Sequence, residues 1–140
     1  MTREEIAAFY ARRQEVVDRR DAVGLAALHA EDGVVESLMA GTVTGRAAIA
    51  DVYQAWFKAV PDVIMTADDL IIDGNRAVLV NSVMGTDTGG FMGLPPTGRP
   101  FRLSLIHLDV LKDGAIQHER RIYDFTGLLV QIGVLKARPA

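Results

Sequence analysis

A strand–turn–strand–helix pattern near the carboxy-terminal end constrains the fold of this chain most. Two runs of alternating side chains flank Asp113-Gly114 within residues 101–135. Asp-Gly supplies the two positive-φ residues that a tight two-residue turn requires. Apolar residues at helical spacing follow the second run directly. The pattern therefore predicts a β-hairpin that leads straight into a terminal helix.

The turn also predicts which side chains of the hairpin share a face. Side chains alternate along a strand, so residues that lie opposite each other point to the same side of the sheet. An apolar face that carries several ionisable groups is typical of a ligand pocket with acid–base chemistry. Pairing outward from the turn predicts such a face, made by the opposite pairs Leu111–Ile116, Asp109–His118, His107–Arg120, Leu105–Ile122 and Leu103–Asp124.

The remainder of the chain predicts two helices, then one helix between strands, then further strands. The strongest helical pattern is the apolar stripe of residues 49, 52, 53, 56, 57 and 60, which Pro61 ends. The predicted elements are a helix from the Thr2–Glu5 capping box to about Arg20, a short helix capped by Asp21, strands at 33–39, 42–44, 62–73 and 76–86, a helix at 45–60, and a loop at 88–100.

This order of elements predicts an α+β fold, in which a curved antiparallel sheet wraps around the long central helix. The apolar stripe of that helix would lie on the concave face, and the open end of the resulting cone would form a cavity. A chain of 140 residues is expected to be a single domain covering 1–140.

Charge and composition exclude several classes of function. The net charge is −3 and no stripe of Lys or Arg stands out, which argues against nucleic acid as a partner. No apolar run approaches the ~20 residues of a membrane-spanning helix, and residues 1–13 lack the apolar core of a secretory signal. The chain has no cysteine, which excludes disulfide and thiolate chemistry. We therefore expect a cytoplasmic protein with no membrane partner.

Three motifs carry a resemblance to a known family. They are GRAAI at 45–49, GTDTGGFMGLPPTGR at 85–99, and Tyr123-Asp124 followed by GLLVQIG at 127–133. On these motifs the chain resembles the SnoaL-like polyketide cyclases of the nuclear transport factor 2-like superfamily, over about residues 7–134. The resemblance implies a cone-shaped α+β barrel, a homodimer joined through the outer sheet face, and a cofactor-free site inside the cone. Cyclases of this family close a ring of an aromatic polyketide methyl ester by intramolecular aldol condensation.

The resemblance also implies catalytic residues. The family's acid–base aspartate, just before the last helix, matches Asp124, and the pocket histidine of the preceding strand approximately matches His107. Relatives often carry Trp or Tyr at the positions of Asn81, Arg120 and Ile122. Without these aromatic walls the pocket would stack a flat polycyclic substrate less well, so the resemblance does not identify the substrate.

The residues themselves allow two interpretations of Asp124 and of His107. Desolvation in an apolar cone would raise the pKa of Asp124 and suit it to proton transfer, but aspartate is also a preferred helix N-cap. His107 could donate to a developing oxyanion or hold a proton in relay with Asp124, or it could be a buried structural histidine hydrogen-bonded to Asp109 or another neighbour. Arg120 could bind a ligand carboxylate or enolate, or neutralise Asp109 and Asp124.

Further residues are candidates for the walls of a pocket. Trp56 and Tyr10 lie on helical stripes and could serve the core instead, and Asn81 would contact substrate only if it points inward. The apolar residues of the 88–100 loop would form either a lid or a plug. The complete set of candidate substrate-binding residues is Arg120, Trp56, Asn81, Met84, Phe91, Met92, Leu94 and Tyr10.

These observations predict an enzyme that acts on a hydrophobic small molecule by acid–base chemistry. The eleven-residue spacing of His107 and His118 matches no ligand signature, so no metal is expected, and the family resemblance implies a site without any other cofactor. The most concrete interpretation is ring closure by aldol condensation. An isomerase, a dehydratase, an epoxide hydrolase using Asp109, Arg120 and Asp124, and a non-catalytic small-molecule-binding dimer remain alternatives.

Overall fold

The computed structural model describes residues 1–136, which form four helices and one six-stranded sheet. The predicted types and order of elements are confirmed, although the first strand begins at His29 and the last helix ends at Gln131. The elements are α1 (Arg3–Asp18), α2 (Ala22–Ala26), β1 (His29–Ser37), β2 (Gly41–Thr44), α3 (Arg46–Ala59), β3 (Ile64–Asp73), β4 (Arg76–Thr86), β5 (Pro100–Lys112), β6 (Ala115–Tyr123) and α4 (Phe125–Gln131).

The strands form one curved sheet in the order β2-β1-β6-β5-β4-β3. All neighbours are antiparallel except β1 and β6, which pair in parallel. The prediction of a fully antiparallel sheet is therefore wrong at this one junction. The reason is topological: the two strands are far apart in sequence, and only a long crossover can join parallel neighbours.

Helix α3 lies against the sheet through its predicted apolar stripe. Ile49, Tyr53 and Trp56 are buried there, together with Val35 of β1 and Val83 of β4. Helix α1 begins at the predicted capping box. Within residues 1–136, no helix combines the length and apolarity needed to cross a membrane.

A β-bulge in β6 changes the register of the last hairpin. Leu111 lies opposite Ile116 as predicted, but the next pair joins Val110 to His118, so Gln117 is an extra residue. An extra residue shifts every later position of a strand by one. From there outward the opposite pairs are Asp109–Glu119, His107–Arg121 and Leu105–Tyr123, and the predicted pairs are wrong.

The bulge therefore exchanges the two faces of β6. Glu119, Arg121 and Tyr123 point into the cone and are buried. Arg120 and Ile122, which were predicted to point inward, are exposed on the outer face. This exchange decides which ionisable groups meet inside the fold.

The loop between β4 and β5 closes over the end of α3. Asp87 holds it together, because its carboxylate accepts hydrogen bonds from the backbone N–H and the hydroxyl of Thr97, both at 3.0 Å. Gly89 N–H donates to the Ala59 carbonyl at 2.9 Å. A Cβ at position 89 would lie 2.2 Å from the Lys58 carbonyl oxygen, so only glycine allows this close approach.

Candidate functional site

An apolar cavity of about 460 Å³ lies between α3 and the loop that covers it. Its size and lining are typical of a site for a small hydrophobic molecule. Three predicted wall residues, Trp56, Phe91 and Met92, line it, and the rings of Trp56 and Phe91 meet edge to face with centroids 5.7 Å apart. Phe91 is buried and plugs the core, whereas Met92 is 64% exposed at the rim.

Two other predicted wall residues lie outside the cavity lining. Leu94 is 41% exposed beyond it. Met84 follows the inward-facing Val83, so strand alternation turns it to the outer side of the sheet, where it lies in a groove with Ile64 and Arg102. The predictions that Leu94 and Met84 line the pocket are therefore wrong.

The cone also contains a group of buried ionisable side chains, which we call the buried cluster. It draws on α1, β1, β5 and β6, and none of its members lines the apolar cavity. Every member is less than 10% exposed, which is unusual for charged residues unless they are paired. The buried cluster consists of Tyr10, Arg13, His29, His107, Asp109, Glu119 and Arg121.

Glu119 is at the centre of the buried cluster. Arg121 Nε donates to Glu119 Oε2 at 2.8 Å, and His107 Nδ1 lies 3.4 Å from Glu119 Oε1. Asp109 is its partner across the strands, and the Tyr10 hydroxyl donates to Asp109 Oδ2 at 2.5 Å. In each carboxyl group one oxygen therefore accepts a hydrogen bond, and the other faces the remaining side chains of the buried cluster.

Tyr53 of α3 joins the two arginines of the buried cluster. The Arg121 guanidinium stacks over the Tyr53 ring, 4.5 Å from its centroid. Arg13 Nη2 donates to the Tyr53 hydroxyl at 3.3 Å. Stacking and hydrogen bonding of this kind suit arginine better than lysine, because the guanidinium is planar and weakly hydrated.

The two carboxyl groups occupy different protonation states. Burial raises the pKa of Asp109 well above its ordinary value, and the negative charge of Glu119 raises it further. Burial opposes ionisation of Glu119 as well, but the positive charge around it, with Arg121 bonded directly to its carboxylate, outweighs burial and holds the pKa of Glu119 well below its usual range. At neutral pH Asp109 therefore carries a proton and Glu119 a negative charge.

The buried histidines are neutral. Burial lowers the pKa of His29 to about 4, and it lowers the pKa of His107 well below the usual value. The buried cluster thus holds two positive guanidinium groups, Arg13 and Arg121, and one negative carboxylate, Glu119. One positive charge is not balanced within it.

Asp124 does not belong to this site. It is exposed, and its Oδ1 accepts a hydrogen bond from the Gly127 N–H at 2.8 Å, which makes it the N-cap of α4. The expectation that an apolar pocket desolvates Asp124 is wrong, and the capping interpretation is confirmed. The bulge is the reason, because it turns Tyr123 rather than its neighbour inward.

Arg120 also lies away from the site. Its Nε is 3.6 Å from Glu36 Oε2 on the outer side of the sheet, where His118 Nε2 contacts the same oxygen at 3.0 Å. Arg120 therefore does not neutralise Asp109 or Asp124, and Asp109 does not pair with His118. Arg121 and Glu119 occupy the predicted inward positions instead.

Three predicted residues point inward, but they contact other buried groups and do not line the cavity. Tyr10 binds Asp109, and the Asn81 amide donates to the Leu105 carbonyl at 3.2 Å. His107 is buried beside Glu119, close to the structural interpretation of this residue. A catalytic role for His107 stays a prediction.

Sequence reasoning missed five of the residues gathered here. Arg13 gave a usable signal, because it interrupts the apolar stripe of α1. His29 follows the short second helix, where it begins β1 and is buried. Only knowledge of the bulge would have predicted that the side chains of Glu119, Arg121 and Tyr123 point inward.

His107, Asp109 and Glu119 each offer a potential metal ligand, and these three atoms lie within 4.8 Å of one another. The charge around them does not fit a divalent cation, because Arg13 and Arg121 already leave positive charge in excess. A proton held by Asp109 satisfies the two facing carboxyl groups without added charge. We therefore assign protons, and not a metal, to this trio.

Comparison with known proteins identifies the family. The sequence profile of the SnoaL-like polyketide cyclases matches residues 7–132. The chain belongs to the SnoaL-like polyketide cyclase family. This membership supports a cyclase-type function. No curated protein matches the chain in a sequence search.

Solved structures agree with this assignment. IdmH of Streptomyces antibioticus, a proposed polyketide cyclase, is 28% identical, with a TM-score of 0.76 over 91% of this chain and 97% of its own. AclR of Streptomyces galilaeus, a proposed hydroxylase, is 25% identical, with a TM-score of 0.83 over 99% and 87%. A Catenulispora acidiphila protein with a ketosteroid isomerase-like fold, 20% identical, gives 0.72 over 100% of both chains and supports the fold alone.

The burial of His29 predicts a specific pH dependence of stability. Its folded pKa of about 4 lies below the unfolded value of 6.5, so the unfolded chain binds more protons between these pH values. Stability is lost as the pH falls from 6.5 to 4, by up to about 3 kcal/mol from this residue. In urea unfolding at a series of pH values, His29→Gln should flatten this loss. His118→Gln on the outer face is the control, and equal slopes in wild type and His29→Gln would contradict the account.

Proposed function

We propose that this protein is a cofactor-free cyclase that closes a ring of a hydrophobic polyketide ester by intramolecular aldol condensation. The substrate's apolar body would occupy the cavity lined by Trp56, Phe91 and Met92. A volume of about 460 Å³ is sufficient for a compound of two or three fused rings. Family membership supports cyclase-type chemistry, and the cavity supports a hydrophobic substrate.

One observation carries the proposed chemistry: an ionised carboxylate and a protonated carboxyl group lie side by side. Aldol closure needs a base that removes a proton from a carbon flanked by carbonyls, and an acid that protonates the new alkoxide. Glu119 is ionised and Asp109 is protonated, so the pair offers both. Asp109 then gives its proton to the new alkoxide, and the proton held by Glu119 passes to the ionised Asp109 and restores the starting state.

Tyr123 lies between the cavity and the buried cluster. Its ring contacts Trp56 of the cavity wall, with centroids 6.1 Å apart, and Arg121 lies two residues away on the same face of β6. The reacting end of the substrate would meet the cluster at this boundary. His107, which contacts Glu119, would help to hold the carboxylate in position.

Turnover of variants tests this assignment. In an assay of a synthetic open-chain polyketide methyl ester, with the ring product measured by liquid chromatography, Asp109→Asn and Glu119→Gln should each lower turnover by roughly 10²–10⁴-fold. Asp124→Asn should keep wild-type turnover, because asparagine also caps helices well. Circular dichroism establishes that each variant is folded. Loss of turnover in folded Asp124→Asn, with normal turnover in the other two, would refute the assignment.

Epoxide hydrolysis is a second candidate, favoured by one specific grouping. Such an enzyme needs two acids and an arginine around a water. Asp109, Arg120 and Asp124 do not converge, but Asp109, Glu119 and Arg121 do. Diol formation from a hydrophobic epoxide would favour this candidate over ring closure. Ligand binding without either reaction would favour the non-catalytic alternative.

We also propose that two copies associate through the outer face of the sheet. Val80, Ile106 and Ile122 lie opposite one another across β4, β5 and β6 and form an apolar row on that face. Ile122 is 47% exposed in the single chain. Burial of such a row is the usual driving force for association.

The solution mass tests this dimer. By light scattering after size-exclusion chromatography, the wild type should have twice the mass of one chain, and Ile122→Lys should have the mass of one chain because it places a charge in the apolar row. Val23→Lys on α2 is the control, since Val23 is 74% exposed away from the sheet. A monomeric wild type, or a dimer that tolerates Ile122→Lys, would contradict the proposal.

A further inference from the structure

The Tyr123 hydroxyl is a buried donor that adjoins two residues of the cavity wall. Tyr123 is 7% exposed, and its Oη has no hydrogen-bond partner of regular geometry within residues 1–136. The hydroxyl lies beside Ser37 and the backbone of Met39, and both residues line the cavity. A buried hydroxyl that lacks a partner is costly, so this donor is available to a ligand.

A positive charge lies close to this hydroxyl. Arg121 lies two residues away on the same face of β6, and its Nη2 is also buried, with no hydrogen-bond partner among the residues that the structure describes. Its charge is only partly balanced, because Arg13 and Arg121 share the single negative charge of Glu119. Fixed donors and positive charge in a dry site stabilise a developing anion strongly.

We propose that the Tyr123 hydroxyl is the donor that binds the substrate's carbonyl oxygen and, with Arg121 behind it, stabilises that oxygen as it becomes an enolate. The inference rests on the proposed function and deepens it. When the base removes the C–H proton, the bonding electron pair moves toward the carbonyl oxygen, and that oxygen acquires the negative charge. Tyr123 keeps its own proton throughout.

The properties of Tyr123 fit a donor rather than a base. Burial raises the pKa of its phenol, so the hydroxyl stays protonated at neutral pH. Its ring is fixed between Trp56 and Phe125, at centroid distances of 6.1 and 6.3 Å. The substrate class that follows is a hydrophobic ring system that carries an enolisable carbonyl group or an acidic hydroxyl group.

A naphthol probe tests this inference without the true substrate. 2-Naphthol is hydrophobic, and absorbance distinguishes its neutral form from its anion. We expect the wild type to lower the pKa of bound 2-naphthol by about one unit or more relative to free probe, a tenfold preference for the anion. Tyr123→Phe should abolish most of this shift while it binds naphthalene as the wild type does. Thr88→Val removes an exposed hydroxyl of the cavity loop and should leave the shift unchanged.

The possible outcomes separate this inference from the proposed function. The same bound pKa in wild type and Tyr123→Phe would overturn the role of the hydroxyl while the cavity proposal stands. If the wild type binds neither 2-naphthol nor naphthalene, the proposal that the cavity binds a hydrophobic molecule is contradicted. One comparison needs no variant: the wild type should prefer 2-naphthol over 2-methoxynaphthalene increasingly as the pH rises, and a constant preference would overturn the inference.

Discussion

The ion pair between Arg121 and Glu119 is the interaction on which the interior of this fold depends. The two groups are 2.8 Å apart and almost completely buried, so neither can recover its hydration. Removal of one partner from such a pair typically costs 3–5 kcal/mol, because the other charge is left uncompensated. Tyr53, His107 and Asp109 are arranged around this pair and fix its geometry. The cone therefore contains a polar cluster, and apolar core residues surround it.

The same pair explains how two carboxyl groups of one site come to differ. Burial opposes ionisation of both groups, but Glu119 has a guanidinium beside it and is ionised, whereas Asp109 has the negative Glu119 beside it and retains a proton. Acid and base are thus assigned by neighbouring charge rather than by residue type. The apolar cavity adds the complementary property, a dry surface for a hydrophobic substrate. Tyr123 connects the two regions, which is why the enolate oxygen is placed at its hydroxyl.

Local sequence patterns predicted most of the fold. The stripe of α3, the Thr2 capping box and the Asp113-Gly114 turn are each determined by residues close in the chain, and all three are confirmed. The parallel pairing of β1 with β6 depends on distant segments and has no local signal. The cavity walls were predicted only where a residue lies on α3 or in the glycine-rich loop, because those elements were placed correctly.

The candidate site was missed for one physical reason. The bulge at Gln117 adds a residue that turn geometry does not specify, and it exchanges the faces of β6. Arg120 and Asp124 were therefore predicted to point inward, in place of Glu119, Arg121 and Tyr123. His107 lies before the bulge, and its inward direction was predicted correctly. One extra residue in β6 therefore leaves the predicted fold correct and makes the predicted site incorrect.

The protonation of the facing carboxyl groups tests the central claim most directly. Carbon-13 NMR of protein labelled at the side-chain carboxyls, with Asp109→Asn and Glu119→Gln used for assignment, follows each group through a pH titration. We predict that Asp109 titrates well above the usual aspartate range, and that Glu119 remains ionised well below the usual glutamate range. Ordinary titration of both groups, or a protonated Glu119 beside an ionised Asp109, would contradict the account.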